Sequence, residues 1–119
     1  MALAVGPYTP IVRAGDFLIC SGQLGLADGA LVEGVAAQVH QALSNAQTLL
    51  VAKNAGLHDV VKTTVLLADI GDYAVMNEAY IAHFADAPPA RTAFAVAGLP
   101  MGALVEIELW AFSPDVGQL

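Results

Sequence analysis

Leu104-Val105-Glu106-Ile107-Glu108-Leu109-Trp110-Ala111-Phe112 is the stretch from which the architecture can be read. Successive side chains of a strand point to opposite faces, so Val105, Ile107, Leu109 and Ala111 share one face. Leu104, Glu106, Glu108, Trp110 and Phe112 share the other. The first face is wholly apolar and suits packing under helices. The second mixes two carboxylates with large apolar groups. It reads either as a half-exposed face with solvated glutamates, or as a face buried by a partner subunit with a glutamate in the cleft between them.

Upstream of this strand the pattern supplies the layer that packs on it. Val35, Val39, Leu43, Ala46 and Leu50 recur every three or four residues, predicting a helix over 35–55 with Gly56 as its C′ residue. Ile70 to Ala85 reads as a second helix capped by Asp69, with Tyr73, Met76, Tyr80 and Phe84 on one core stripe and Pro88-Pro89 stopping the chain beyond it. Val60 to Ala68 is a dense β-branched run, predicted to be a strand buried on both faces. Ile11 to Arg13, Phe17 to Ser21, Ala30 to Val32 and Thr92 to Ala97 complete the strands, with turns at Ala14-Gly15-Asp16 and Asp28-Gly29 and the Phe17 strand ending at Gly22. With no linker or repeat, residues 1–119 form one domain. The expected class is α/β (α+β): a two-layer sandwich in which a mixed sheet of four to six strands packs on two helices.

Composition limits the function. Apolar residues make up 57% of the 119 and charged residues 13%, with a net charge of −7. Such a chain is too apolar for disorder. Four cations, Arg13, Lys53, Lys62 and Arg91, spread along the sequence make no basic stripe and argue against nucleic acid. No apolar run is long enough to span a membrane. Met1 to Val5 lacks a basic segment, so no secretory signal is expected. A lone Cys20 forms no internal disulfide and fits a reducing, cytoplasmic setting. A small domain cannot bury so much apolar surface alone, which points to self-association.

Candidate chemistry rests on few residues. Arg91 stands between the Pro-Pro stop and a strand, and its planar fork matches a carboxylate. With Glu106 it can hold an anionic substrate and position a water; the alternative is an ion pair within the chain. Both are expected beside the helix-free face. Ser21-Gly22-Gln23 offers a hydroxyl and backbone groups at a strand end, or simply a turn. Asn77 is the polar exception on its helix. His40, His58 and His83 are scattered, without metal-ligand spacing, and Cys20 reads as a buried inert thiol. No nucleophile elbow, P-loop or dinucleotide fingerprint is present.

Five segments carry a family resemblance. Gly6-Pro7-Tyr8, Ser21-Gly22-Gln23, Val61-Lys62-Thr63-Thr64-Val65 followed by Asp69 and by Asn77 and Tyr80, Pro89-Ala90-Arg91-Thr92, and Leu99 through Glu108 together resemble the RidA (YjgF) family, over nearly the whole chain. The resemblance implies a chorismate-mutase-like fold, a homotrimer whose sheets form a central barrel, and three clefts between subunits. It implies hydrolysis of 2-imino and enamine acids such as 2-aminoacrylate to 2-oxo acids and ammonia, without metal or organic cofactor. It makes the ligand a small anionic imine, enamine or 2-oxo acid. By the same resemblance Arg91 binds the substrate carboxylate and Glu106 positions or activates water. Ser21 and the Gly22 backbone line the pocket, Tyr8 closes it, the Ala93 carbonyl orients substrate or water, and Asn77 stands behind them. The chain departs from the pattern at Ala93, where many relatives carry Cys, at Thr92 in place of a common Ser, and at Leu24-Gly25, which lacks a frequent proline. Other readings kept open are a pathway-specific enamine deaminase of aminomuconate or aminoacrylate type, a non-catalytic metabolite-binding module, and an endoribonuclease or translation inhibitor.

Overall fold

A computed structural model describes residues 6–84 and 86–115. Met1–Val5, read above against a secretory signal, and the expected helix end at Ala85 lie outside the described residues. The order is β1 (Ile11–Ala14), β2 (Phe17–Leu24), β3 (Leu26–Ala27), β4 (Ala30–Leu31), α1 (Val35–Val51), β5 (Val60–Leu67), α2 (Tyr73–Ile81), β6 (Ala90–Ala95) and β7 (Val105–Phe112). Five strands form one sheet in the order β1-β2-β7-β5-β6, with β3 and β4 a separate hairpin. All neighbours in the large sheet are antiparallel except β5 and β6, which α2 connects as a parallel pair. Both helices cover the same face, as the alternation in β7 requires.

Local chemistry explains the element ends. Gly15, at φ +59°, turns the β1–β2 hairpin. The β2 strand does not stop at Gly22. Cys20 pairs with Leu109 and Gln23 with Ile107, so Ser21 and Gly22 form a bulge that absorbs one extra residue, and the strand runs on to Leu24. The first helix ends at Val51, four residues short of expectation. Asn54, not Gly56, takes the left-handed conformation (φ +62°), while Ala55 N–H reaches Leu50 C=O and Asn54 N–H reaches Val51 C=O. This Schellman closure needs one residue that tolerates positive φ, and asparagine does. The second helix is also shorter. Asp69 Oδ1 accepts from Gly71 N–H at 2.8 Å and caps a 3₁₀ turn over Ile70–Asp72, from which α2 starts at Tyr73.

The core lies between the helices and one sheet face. Val39, Leu43 and Leu50 of α1 and Met76 of α2 meet Val65 and Leu67 of β5 and Val105, Ile107 and Leu109 of β7, all buried. On β5, Thr63, Val65 and Leu67 are buried, but Lys62, Thr64 and Leu66 are only half-buried. The expectation of a strand buried on both faces therefore fails within one chain, because no helix covers the second face. That face carries Phe17 against Trp110 and Phe112, edge to face at 6.0 and 5.5 Å. Trp110 and Phe112 are 40% and 45% exposed. No helix of the described residues is long and apolar enough to cross a membrane.

Ile107 is fully buried at the centre of the core. Ile107→Ala is expected to cost about 2–5 kcal/mol, since the lost transfer energy is joined by an unfilled cavity. Urea unfolding checks it: the midpoint falls while the slope is unchanged.

Candidate active site

The structure divides the predicted site residues into two groups. The first gathers at the β2 bulge. Glu106 pairs with Leu24 on one side and Leu66 on the other, on the helix-free face. Gly22 lies against it so closely that a Cβ there would collide with the Glu106 carboxylate. Ser21 Oγ donates to Thr9 C=O at 2.7 Å, and Ser21 N–H to Pro10 C=O at 2.8 Å. These bonds hold the segment carrying Tyr8 along the bulge. The Glu106 carboxyl has no hydrogen-bond or ion-pair partner among the described residues. Burial, and secondarily the neighbouring Glu108 carboxylate, push its pKa above the ordinary 4.5.

The second group lies across the sheet. Arg91 pairs with Thr63, which pairs with the buried Leu109, so its side chain leaves β6 on the helix-covered face. This corrects the expectation that Arg91 sits beside the helix-free face. The guanidinium Cζ stands 4.9 Å from the Tyr80 ring centroid and 5.5 Å from that of Tyr73. Nη2 donates to Tyr73 Oη at 3.1 Å, and Nη1 points to Met76 Sδ at 3.6 Å. A groove of about 480 Å³ beside it is lined by Asn77, Glu78, Tyr80, Ile81, Pro88, Pro89 and Arg91. Asn77 has a buried Oδ1 without a hydrogen-bond partner.

Ala93 pairs with Val65, and its methyl packs against the core. Its backbone points elsewhere. Val96 N–H bonds to Leu67 C=O. Backbone groups alternate in direction along a strand, so those of Thr92 and Phe94 also face β5, and those of Arg91 and Ala93 face the open edge of the sheet. The Ala93 carbonyl is thus presented on the Arg91 side of the molecule.

The chain therefore brings Ser21, Gly22 and Glu106 together, with Tyr8 next to the Thr9–Pro10 segment bonded to the bulge, and brings Asn77 and Arg91 together along a separate groove, with the Ala93 carbonyl at the same sheet edge. An ion pair within the chain between Arg91 and Glu106 is excluded, because the pleat points them to opposite faces. Tyr73, read as core, is instead 41% exposed and bonded to Arg91. The signal was in its spacing: Tyr73, Met76 and Tyr80 form one helical stripe, and the stripe extends past the core edge. Two of the three histidines are less scattered than they look. His40 Nδ1 meets His83 Nε2 at 2.9 Å, and burial followed by the His40 charge lowers the His83 pKa. Among the described residues no three His, Cys, Asp or Glu side chains come together as a metal-holding group.

The comparisons with known proteins agree over nearly the full chain. The family model described as endoribonuclease L-PSP matches residues 1–113. A 2-iminobutanoate/2-iminopropanoate deaminase of Mus musculus is 45% identical over 88% of this chain and 80% of its own length. A RutC family protein of Pyrococcus horikoshii is 40% identical over 91% of this chain and 88% of its own. Among solved structures, RidA from an Antarctic Psychrobacter superposes with a TM-score of 0.89 at 41% identity, covering 92% of this chain and 91% of that one.

Cys20 is buried and its thiol is pushed up to about 11 by burial. Almost no thiolate exists at neutral pH, so a thiol reagent at pH 8 is expected to leave the native protein unlabelled and to label it once unfolded. Prompt labelling of the native state contradicts the placement of Cys20.

Proposed function

We propose that this chain, which belongs to the endoribonuclease L-PSP family, also called the RidA (YjgF) family, is an imine and enamine deaminase whose active site is completed by two copies of the chain. The substrates are 2-imino and enamine acids of the 2-aminoacrylate type, and the products are 2-oxo acids and ammonia. The observation that carries this reading is a pair of opposite charges without counter-ions. Among the described residues Arg91 is held only by neutral groups, the Glu106 carboxyl has no hydrogen-bond or ion-pair partner, and one sheet lies between them. A second copy that brings its own Glu106 edge to the Arg91 edge of the first would join them. The apolar helix-free face, with Phe17, Trp110 and Phe112, is the surface such an assembly covers, and a homotrimer closed around three such faces fits the resemblance.

The chemistry asked of these residues is modest. Arg91 takes the substrate carboxylate through its fork. The Ala93 carbonyl accepts from the imine N–H, turning the imine carbon toward the other chain. Glu106 takes a proton from water, and the water oxygen adds to that carbon. Glu106 returns that proton to the nitrogen, the hydroxyl of the resulting carbinolamine passes its own proton to the nitrogen as the C–N bond breaks, ammonia leaves and the carbonyl forms. One water is consumed per imine. An enamine first takes a proton on carbon to become the imine. Tyr8, Ser21 and Gly22 shape the wall around the water, and Gly22 leaves Glu106 the room it occupies.

The family description also names an endoribonuclease. Net charge −7 argues against it, as do two of the four cations already engaged, Arg13 with Ser113 C=O and Lys62 with Thr92 Oγ1. RNA affinity with a steep salt dependence would favour that reading. The buried thiol and the absence of any disulfide partner fit a reducing compartment such as the cytoplasm.

Arg91→Ala is expected to abolish hydrolysis of carboxylate-bearing imines while the assembly survives. A serine or threonine dehydratase coupled to the purified protein supplies the imine, and its accelerated loss is the readout. Full activity in the variant would overturn the assignment. The pH profile tests Glu106 separately. A general base must be ionised, so the rate falls as pH drops through the pKa of Glu106, which the Glu108 charge raises. Removing the neighbouring charge with Glu108→Gln is expected to move this acid limb to lower pH; an unmoved limb contradicts the role of Glu106.

A further inference from the structure

We propose that Tyr73 is a positioning residue that aims Arg91 at a ligand carboxylate, an inference that rests on reading Arg91 as the carboxylate-binding group. A free arginine side chain samples many rotamers, and a guanidinium binds a carboxylate in two-pronged fashion only when its plane is fixed. Here α2 fixes it through three residues of one helical stripe. Tyr80 supplies a floor, with Cζ 4.9 Å from its ring centroid, and that ring is itself anchored by a 2.7 Å hydrogen bond between Tyr80 Oη and the buried Thr63 Oγ1. Met76 Sδ meets Nη1 at 3.6 Å. Tyr73 closes the arrangement from the exposed side, where its hydroxyl accepts from Nη2 at 3.1 Å.

The chemistry of these partners is as telling as their geometry. Structural arginines are commonly held by a carboxylate, which cancels their charge. Tyr73, Met76 and Tyr80 are all neutral, so they orient the guanidinium and leave its charge uncompensated for an incoming anion. A guanidinium has five N–H donors, and one bond to Tyr73 and one weak contact to Met76 leave the others for a ligand. Tyr73 is the only one of the three that is exposed, so its hydroxyl can be removed without opening the core.

The test is a calorimetric titration of the assembled full chain with 2-oxobutanoate, a stable product-like acid, which keeps it independent of turnover. Tyr73→Phe keeps the ring and removes the hydroxyl. It is expected to weaken binding by about threefold to tenfold, the usual weight of one hydrogen bond. Binding of the neutral 2-oxobutanamide is expected to stay the same. In an Arg91→Ala background Tyr73→Phe should add nothing, because the two residues act as one unit. Unchanged acid binding in Tyr73→Phe overturns the proposal. So does equal weakening of acid and amide, which marks a merely structural ring, and so does additivity with Arg91→Ala. If Arg91→Ala itself binds the acid as tightly as the native chain, the carboxylate reading of Arg91 falls first, a failure distinct from that of Tyr73.

Discussion

The pleat of the sheet keeps Arg91 and Glu106 apart. Residues that pair across neighbouring strands share a face, and Arg91 aligns through Thr63 with Leu109 while Glu106 aligns with Leu66. No rotamer brings one through the sheet to the other. Everything proposed for the site follows from that separation. In the proposed site, a cation poised on aromatic rings and a carboxylate raised above its ordinary pKa are each half of a catalytic pair. Each chain holds both halves, but facing away from one another, and repetition of the chain is the means by which they can meet.

The same pleat gives the apolar excess a location. In β7 the residues that alternate with the core are Glu106, Glu108, Trp110 and Phe112, and no helix covers them. Phe17 and Val61 add to this surface from the neighbouring strands. Clustered aromatic rings at that exposure form the surface that the proposed assembly would cover. A cover that removes water there would also dry the surroundings of Glu106, raising the cost of its charge and strengthening its attraction to a neighbouring Arg91. Oligomer formation and catalysis would then draw on one surface.

Much of this was legible in the residues. Period-two alternation named both faces of β7, and the 3.6-residue period placed the start of α1 and the apolar part of its buried stripe, though not its end or the buried Gln38. Arg91 and Glu106 stood out because charge is scarce in this chain. What was not legible depended on contacts between distant segments. The Ser21-Gly22 bulge exists only relative to β7, so a single strand read alone appeared to stop there. Asn54 displaced Gly56 as the helix-closing residue because the turn came earlier than the composition suggested. Tyr73 looked like core because it continues the stripe of Met76 and Tyr80, yet the sheet edge ends beneath it. The face of Arg91 depended on the parallel register of β5 with β6, which no local pattern encodes.

The two-chain site is tested most directly by mixing subunits. Arg91→Ala and Glu106→Gln chains are each expected to be inactive alone. Unfolded together in equal amounts and refolded, they form some clefts with an intact Arg91 from one chain and an intact Glu106 from the other. Random assembly predicts recovery of about a quarter of the native rate of imine hydrolysis. A mixture that assembles and stays inactive would contradict the account.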